Sequence, residues 1–151
     1  MRTIVKIIAV VALLCSAAQP GYAADDTKEH HIAIQVDQDD PAVMNLALNN
    51  VVNVLDMYQS KGQSVKIEVV AYGPGLRMLR DDTSPVKDRI KQLAALSFPS
   101  EVKFSACNIT KSGMEKHEGH PITIIPQAGI VPSGAMRLVE LQEDGWSYLK
   151  P

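Results

Sequence analysis

The chain holds only two cysteines in 151 residues, and one of them, Cys15, lies in a leading segment that reads as an export signal. With Cys107 left alone, the working protein has no internal disulfide. A lone thiol is a buried small hydrophobe, an intermolecular partner or a reactive group. A basic excess is lacking too: without Arg2 and Lys6 of the leader, the 15 basic residues fall to 13 against 17 acidic ones. That balance argues against a nucleic-acid surface. Internal repeats, low-complexity tracts and long linkers are absent, as are a Ser/His/Asp order, a paired-carboxylate spacing and a nucleotide motif.

Long apolar runs are missing as well. Ile7 to Leu14 is too short to span a bilayer and nothing comparable follows, so no membrane anchor is expected. Arg2 and Lys6, this apolar run and the small residues around Gly21-Tyr22-Ala23 match a cleaved signal peptide over residues 1–23. The expected product is periplasmic or secreted, with a loose tail at 24–29 and one domain at 30–151. Leu14 before Cys15 is not the small residue a lipidation signal places there.

What is present alternates between strand and helix. His31 to Val36 reads as a strand, and Pro41 opens a helix running to Ser60. In that helix Asn45, Asn49, Asn53 and Asp56 form one polar stripe, read as a solvated face. Val43, Leu46, Ala47, Leu48, Val51, Val52, Val54, Leu55 and Tyr58 cover most of the rest, more than one sheet face can hide. Val65 to Tyr72 reads as a strand of a buried parallel sheet, with a short helical piece at Leu76 to Arg80 beyond Gly73-Pro74-Gly75. Ser84-Pro85 starts a helix and Val102 to Cys107 is the third strand. Ile122 to Ile125 and Ala128 to Val131 are both strand-like, and Pro132-Ser133-Gly134 begins the last helix. Gly145 closes it before a short strand at Trp146 to Leu149. This is an α/β sandwich with right-handed crossovers.

In such folds reactive groups gather beyond the carboxyl ends of the strands. Cys107, Tyr72-Gly73-Pro74-Gly75 and Pro132-Ser133-Gly134 all fall there. If Asn108 begins a helix, its free amides and dipole favour the Cys107 thiolate. An accessible, activated thiol is the expectation, against the alternative of an inert buried one.

The segments Val69 to Gly75, Phe104 to Thr110, and Val131 to Gly134 leading into Leu138 to Pro151 resemble the DsrE/DsrF-type sulfur-relay proteins, in order and over nearly the whole mature chain. The resemblance implies a flavodoxin-like three-layer α/β sandwich with a mostly parallel sheet. It also implies a homotrimer or homohexamer, and a cysteine at Cys107 that carries sulfane sulfur as a persulfide, exchanged with a donor or acceptor protein. Tyr72, Gly73, Gly75, Asn108, Thr110 and Ser133 are then the residues around the substrate, and no cofactor is called for. An export signal departs from the cytoplasmic setting of the family's best-understood members.

Two other readings compete. One is a non-catalytic oligomeric binding or scaffold protein with an inert Cys107. The other is a metal-binding module using His117 and His120, near Glu115 and Glu118, although two His at that spacing match a polar loop better. Gly73-Pro74-Gly75 lacks the third glycine of a dinucleotide loop and the Lys-Ser/Thr of a phosphate loop, so it reads as a tight turn. Trp146 and Tyr148 are expected to pack on a sheet edge or subunit boundary.

Overall fold

A computed structural model describes residues 29–96 and 99–151. The expected signal peptide and the tail up to residue 28 lie outside the described residues. Glu29, the last residue of that tail, pairs with His31 at 3.1 Å and Lys66 at 2.5 Å.

The elements run β1 (His30–Val36), α1 (Pro41–Ser60), β2 (Val65–Ala71), a 3-10 helix (Gly73–Leu79), α2 (Lys87–Leu96), β3 (Glu101–Cys107), α3 (Asn108–Glu118), β4 (Ala128–Val131), α4 (Gly134–Glu143) and β5 (Ser147–Leu149). The five strands form one sheet in the order β4-β3-β2-β1-β5, every neighbouring pair parallel. A parallel sheet needs a crossover after each strand, and crossovers place helices on its faces. The result is a flavodoxin-like α/β sandwich.

Strand alternation sorts the side chains between two unequal layers. Ile34, Ile67, Val69, Phe104 and Ala106 pack into the larger core with Met44, Leu48 and Val51 of α1 and Ile90 of α2, and Met114 of α3 joins them. On the opposite face Ala33 and Val70 meet only Leu138 and Leu141 of α4, with Tyr72 and Trp146 beside them. Among the described residues a single helix therefore covers that side.

Start signals work as their chemistry requires. Asp40 caps α1, its carboxylate accepting from the Ala42 amide at 2.7 Å, with Pro41 at the first helical position. The α1 surface differs from expectation. Met44, Ala47, Leu48 and Val51 are buried in the protein's own core and Val54, Leu55 and Tyr58 pack against it, so the exposed apolar surplus comes down to Leu46 and Met57. Nor is the polar stripe wholly solvated, because Arg89 of α2 donates to the Asn45 and Asn49 side chains at 2.5 and 2.8 Å.

A second correction concerns Ile122 to Ile125, which adds no strand to the sheet. Ile124 instead forms one isolated antiparallel bridge with Arg80, supported by Asp81 and Ile125 amides donating to the Thr123 and Leu79 carbonyls. Prolines at 121 and 126 bracket the segment and limit its ladder. Arg80, itself buried, is bidentate to both Asp82 and Glu118 and so ties the 3-10 helix to the end of α3. Arg80 hydrogen bonding holds the Asp82 carboxyl down at about 2.

Gly75 makes the closest approach of the described glycines. A Cβ there would lie 2.4 Å from the Val36 carbonyl oxygen and 2.6 Å from its carbon, both backbone atoms that cannot swing aside. Gly75→Ala is expected to destabilise the fold by about 1 to 3 kcal/mol or more, the range for overpacked sites. Urea unfolding should show a lower midpoint with an unchanged slope; an unaltered midpoint would contradict this packing.

Candidate functional site

Cys107 is both the last residue of β3 and the N-cap of α3. Its backbone is still extended, at φ −70° and ψ 118°, while its sulfur accepts from the Thr110 amide at 3.5 Å. A thiol thus takes the place that a Ser or Asp oxygen usually fills at a helix start. The expected helix from Asn108 is present, and eleven residues long.

More donors converge on the same sulfur. The Gly73 amide donates to Thr110 Oγ1 at 2.9 Å, which leaves the Thr110 hydroxyl proton to face the thiol. The Gly134 amide at the start of α4 and the Ile109 amide also favour the thiolate, the latter while donating to the Pro132 carbonyl at 3.3 Å. Burial opposes ionisation of Cys107. The Thr110 hydroxyl and the amides of Gly134, Thr110 and Ile109 outweigh it and hold the thiol pKa below its ordinary value of 9.0.

Accessibility is where expectation fails. Cys107 is 4% exposed because α4 begins directly over it. A Cβ on Gly134 would lie 3.1 Å from Cys107 Cβ and 2.7 Å from Tyr72 Cβ, so only glycine permits this approach. The thiol is activated and covered at once.

The other expected site residues separate. Tyr72, Gly73 and Thr110 gather around Cys107, and Ser133 caps α4, its hydroxyl accepting from Met136 N at 3.3 Å. Asn108 is exposed at the first position of α3. Gly75 is buried against the β1 backbone, and packing accounts for it.

Below the thiol, on the same sheet face, lies a buried charge. Glu68 of β2 is 2% exposed and accepts from Arg137 Nε and Nη2, both at 2.8 Å, and from Ser105 Oγ at 2.7 Å. Desolvation pushes its carboxyl upward, yet the Arg137 and Ser105 hydrogen bonds prevail and leave it lowered from 4.5. Neither Glu68 nor Arg137 stood out from the sequence. The available signal was a carboxylate in the middle of the otherwise apolar Ile67 to Ala71.

The histidines do not form a loop site. His117 belongs to the last turn of α3, not to a polar loop, and His120 just beyond it contacts Glu118 at 3.3 Å. Among the described residues no three His, Cys, Asp or Glu side chains converge as metal ligands would. Trp146 stacks on His31 with ring centroids 4.9 Å apart, and the Tyr148 hydroxyl donates to Gln35 Oε1.

An all-parallel α/β domain with a covered, activated cysteine at a strand-to-helix junction defines the class. The chain belongs to the DsrE/DsrF-like family, whose model matches residues 30–151. It is similar in structure to MTH1491, a protein of unknown function from Methanobacterium thermoautotrophicum, at 29% identity and a TM-score of 0.67, over 81% of this chain and 99% of that one. No curated protein matches the chain.

Removing the Thr110 hydroxyl tests the activation directly. Thr110→Val is expected to move the Cys107 pKa upward, so that the midpoint of thiol alkylation against pH shifts to higher pH while the protein stays folded. An unshifted midpoint would show that the hydroxyl does not support the thiolate.

Proposed function

We propose that the protein carries sulfane sulfur as a persulfide on Cys107, and does so as an exported protein cleaved after residue 23 to act in the periplasm or outside the cell. The observation that carries this reading is the Cys107 sulfur serving as a helix cap amid the Thr110 hydroxyl and amide and the Gly134 amide. Those donors favour a thiolate, and the thiolate is the attacking species in sulfur exchange.

The step needs no oxidant. Cys107 thiolate attacks the outer sulfur of a donor persulfide, the donor S–S bond breaks, and the donor leaves as a thiolate with the bonding pair. The new Cys107 persulfide keeps the terminal sulfur and its proton. Passing that sulfur to an acceptor thiolate reverses the sequence and restores Cys107. The donors that favoured the thiolate also face the charge returning to it.

The 4% exposure of Cys107 favours a second reading, an inert cysteine in a binding or scaffold protein. Mass spectrometry after incubation with a persulfide donor separates the two. A gain of one sulfur atom on Cys107, lost on reduction and absent in Cys107→Ser, is expected. An unmodified Cys107 would leave the scaffold reading standing.

Assembly into a homotrimer or homohexamer is part of the proposal. Ile109, Ile130 and Val139 are all more than 40% exposed, on β4 and the helices either side of it, in addition to Leu46 and Met57 on α1. A closed oligomer removes such apolar surface from water. Sedimentation equilibrium should give three or six times the mass of one chain; a monomer at micromolar concentration would refute the assembly.

A further inference from the structure

The face of the sheet bearing Cys107 is only partly covered. α4 packs over Ala33 and Val70 through Leu138 and Leu141 and begins over Cys107, leaving Lys103 of β3 and Gly129 of β4 exposed on that face. A cleft of about 470 Å³ occupies the gap, within the size range of small-ligand sites. Glu68 and Ser105 form its buried floor, Val131 and Met136 give it apolar walls, and Lys103 and Arg137 bring positive charge. Ser133 lines the cleft and directly precedes Gly134, which covers the sulfur.

Its two cations have donors to spare. Among the described residues Arg137 spends Nε and Nη2 on Glu68, whereas Nη1 has only Glu140 at 3.6 Å. Lys103 is 60% exposed and pairs with Glu101 at 3.2 Å. Both are suited to carboxylates. Alternation puts Lys103, Ser105 and Cys107 on one face of β3, and a rise of about 3.3 Å per residue sets the Lys103 Cα about 13 Å from that of Cys107. A donor spanning most of that length is about 10 Å long, the reach of roughly three extended residues. A small inorganic sulfur species fills neither the length nor the apolar walls.

We propose that this cleft binds a short-peptide persulfide through its carboxylates and delivers the outer sulfur to Cys107, a proposal that rests on the sulfur-carrying reading of that residue. Lys103 and Arg137 Nη1 take the carboxylates, Met136 and Val131 take the aliphatic body, and the persulfide end lies toward Ser133 and the thiol. The transfer is the exchange written above, with the peptide thiol as leaving group.

Two measurements test it, with glutathione as the probe. Calorimetric titration of the Cys107→Ser protein with reduced glutathione reads the cleft without any chemistry. Stopped-flow persulfidation of the intact cysteine then compares glutathione persulfide with inorganic polysulfide. Lys103→Glu and Met136→Asp alter exposed side chains, and thermal melts verify that both variants fold. Each is expected to weaken glutathione binding and raise KM for its persulfide about tenfold, with the polysulfide rate changing less than about twofold. Unchanged glutathione binding in both variants, or an equal loss with both donors, overturns the proposal. Glutathione binding that Lys103→Glu weakens, without persulfide on the wild-type protein, supports the ligand class of the cleft and overturns the carrier reading of Cys107.

Discussion

Glu68 sits 2% exposed in the middle of β2, and the position of α4 follows from how its charge is met. A carboxylate so removed from water is costly unless paired and hydrogen-bonded. Here it has the bidentate Arg137 fork and the Ser105 hydroxyl, three bonds that join β2, β3 and α4 at one point. Losing one partner of such a pair typically costs about 3 to 5 kcal/mol, because the other charge is left buried and alone. A fully apolar seam would permit α4 to slide along the sheet. The planar fork on a fixed carboxylate does not, and it sets the first turn of α4 above the ends of β2 and β3.

That placement matters because α4 supplies part of the thiol's surroundings. Gly134 lies against Cys107, and Arg137, one turn later in the same helix, is anchored on Glu68. The other donors arrive by a separate route, since Cys107 caps α3 and Thr110 is held by the Gly73 amide at the end of β2. Parallel strands deliver these pieces to one place, as each carboxyl end opens into a loop on the same edge of the sheet. No single loop builds the site.

The periodic part of this architecture could be read from the sequence. Val65 to Ala71 shows the continuous apolar run of a buried parallel strand, Pro41 marks a helix start, and Phe104 to Cys107 runs into a turn that places the cysteine at a strand end. Features set by tertiary contact could not. Ile122 to Ile125 has the composition of a strand, but bracketing prolines and a lone partner at Arg80 reduce it to a bridge. Nothing local tells that Gly134 would cover Cys107, or that Asn45 and Asn49 would receive Arg89. Glu68 did break an apolar run, yet its partner lies 69 residues away, beyond any window of periodicity.

Burial and activation of Cys107 look opposed, and their common cause resolves the opposition. Desolvation disfavours the thiolate, while the same exclusion of water strengthens each hydrogen bond aimed at the sulfur. The cover and the donors are one structure, so they cannot be separated by exposing the thiol. Lifting α4 would discard the Gly134 amide and pull Arg137 from Glu68, leaving a buried charge unpaired. Approach from the cleft, whose lining reaches Ser133 beside Gly134, would leave both contacts in place. The physical cost of opening α4 therefore favours entry from the open side of the sheet, where the helix layer ends and the cleft begins.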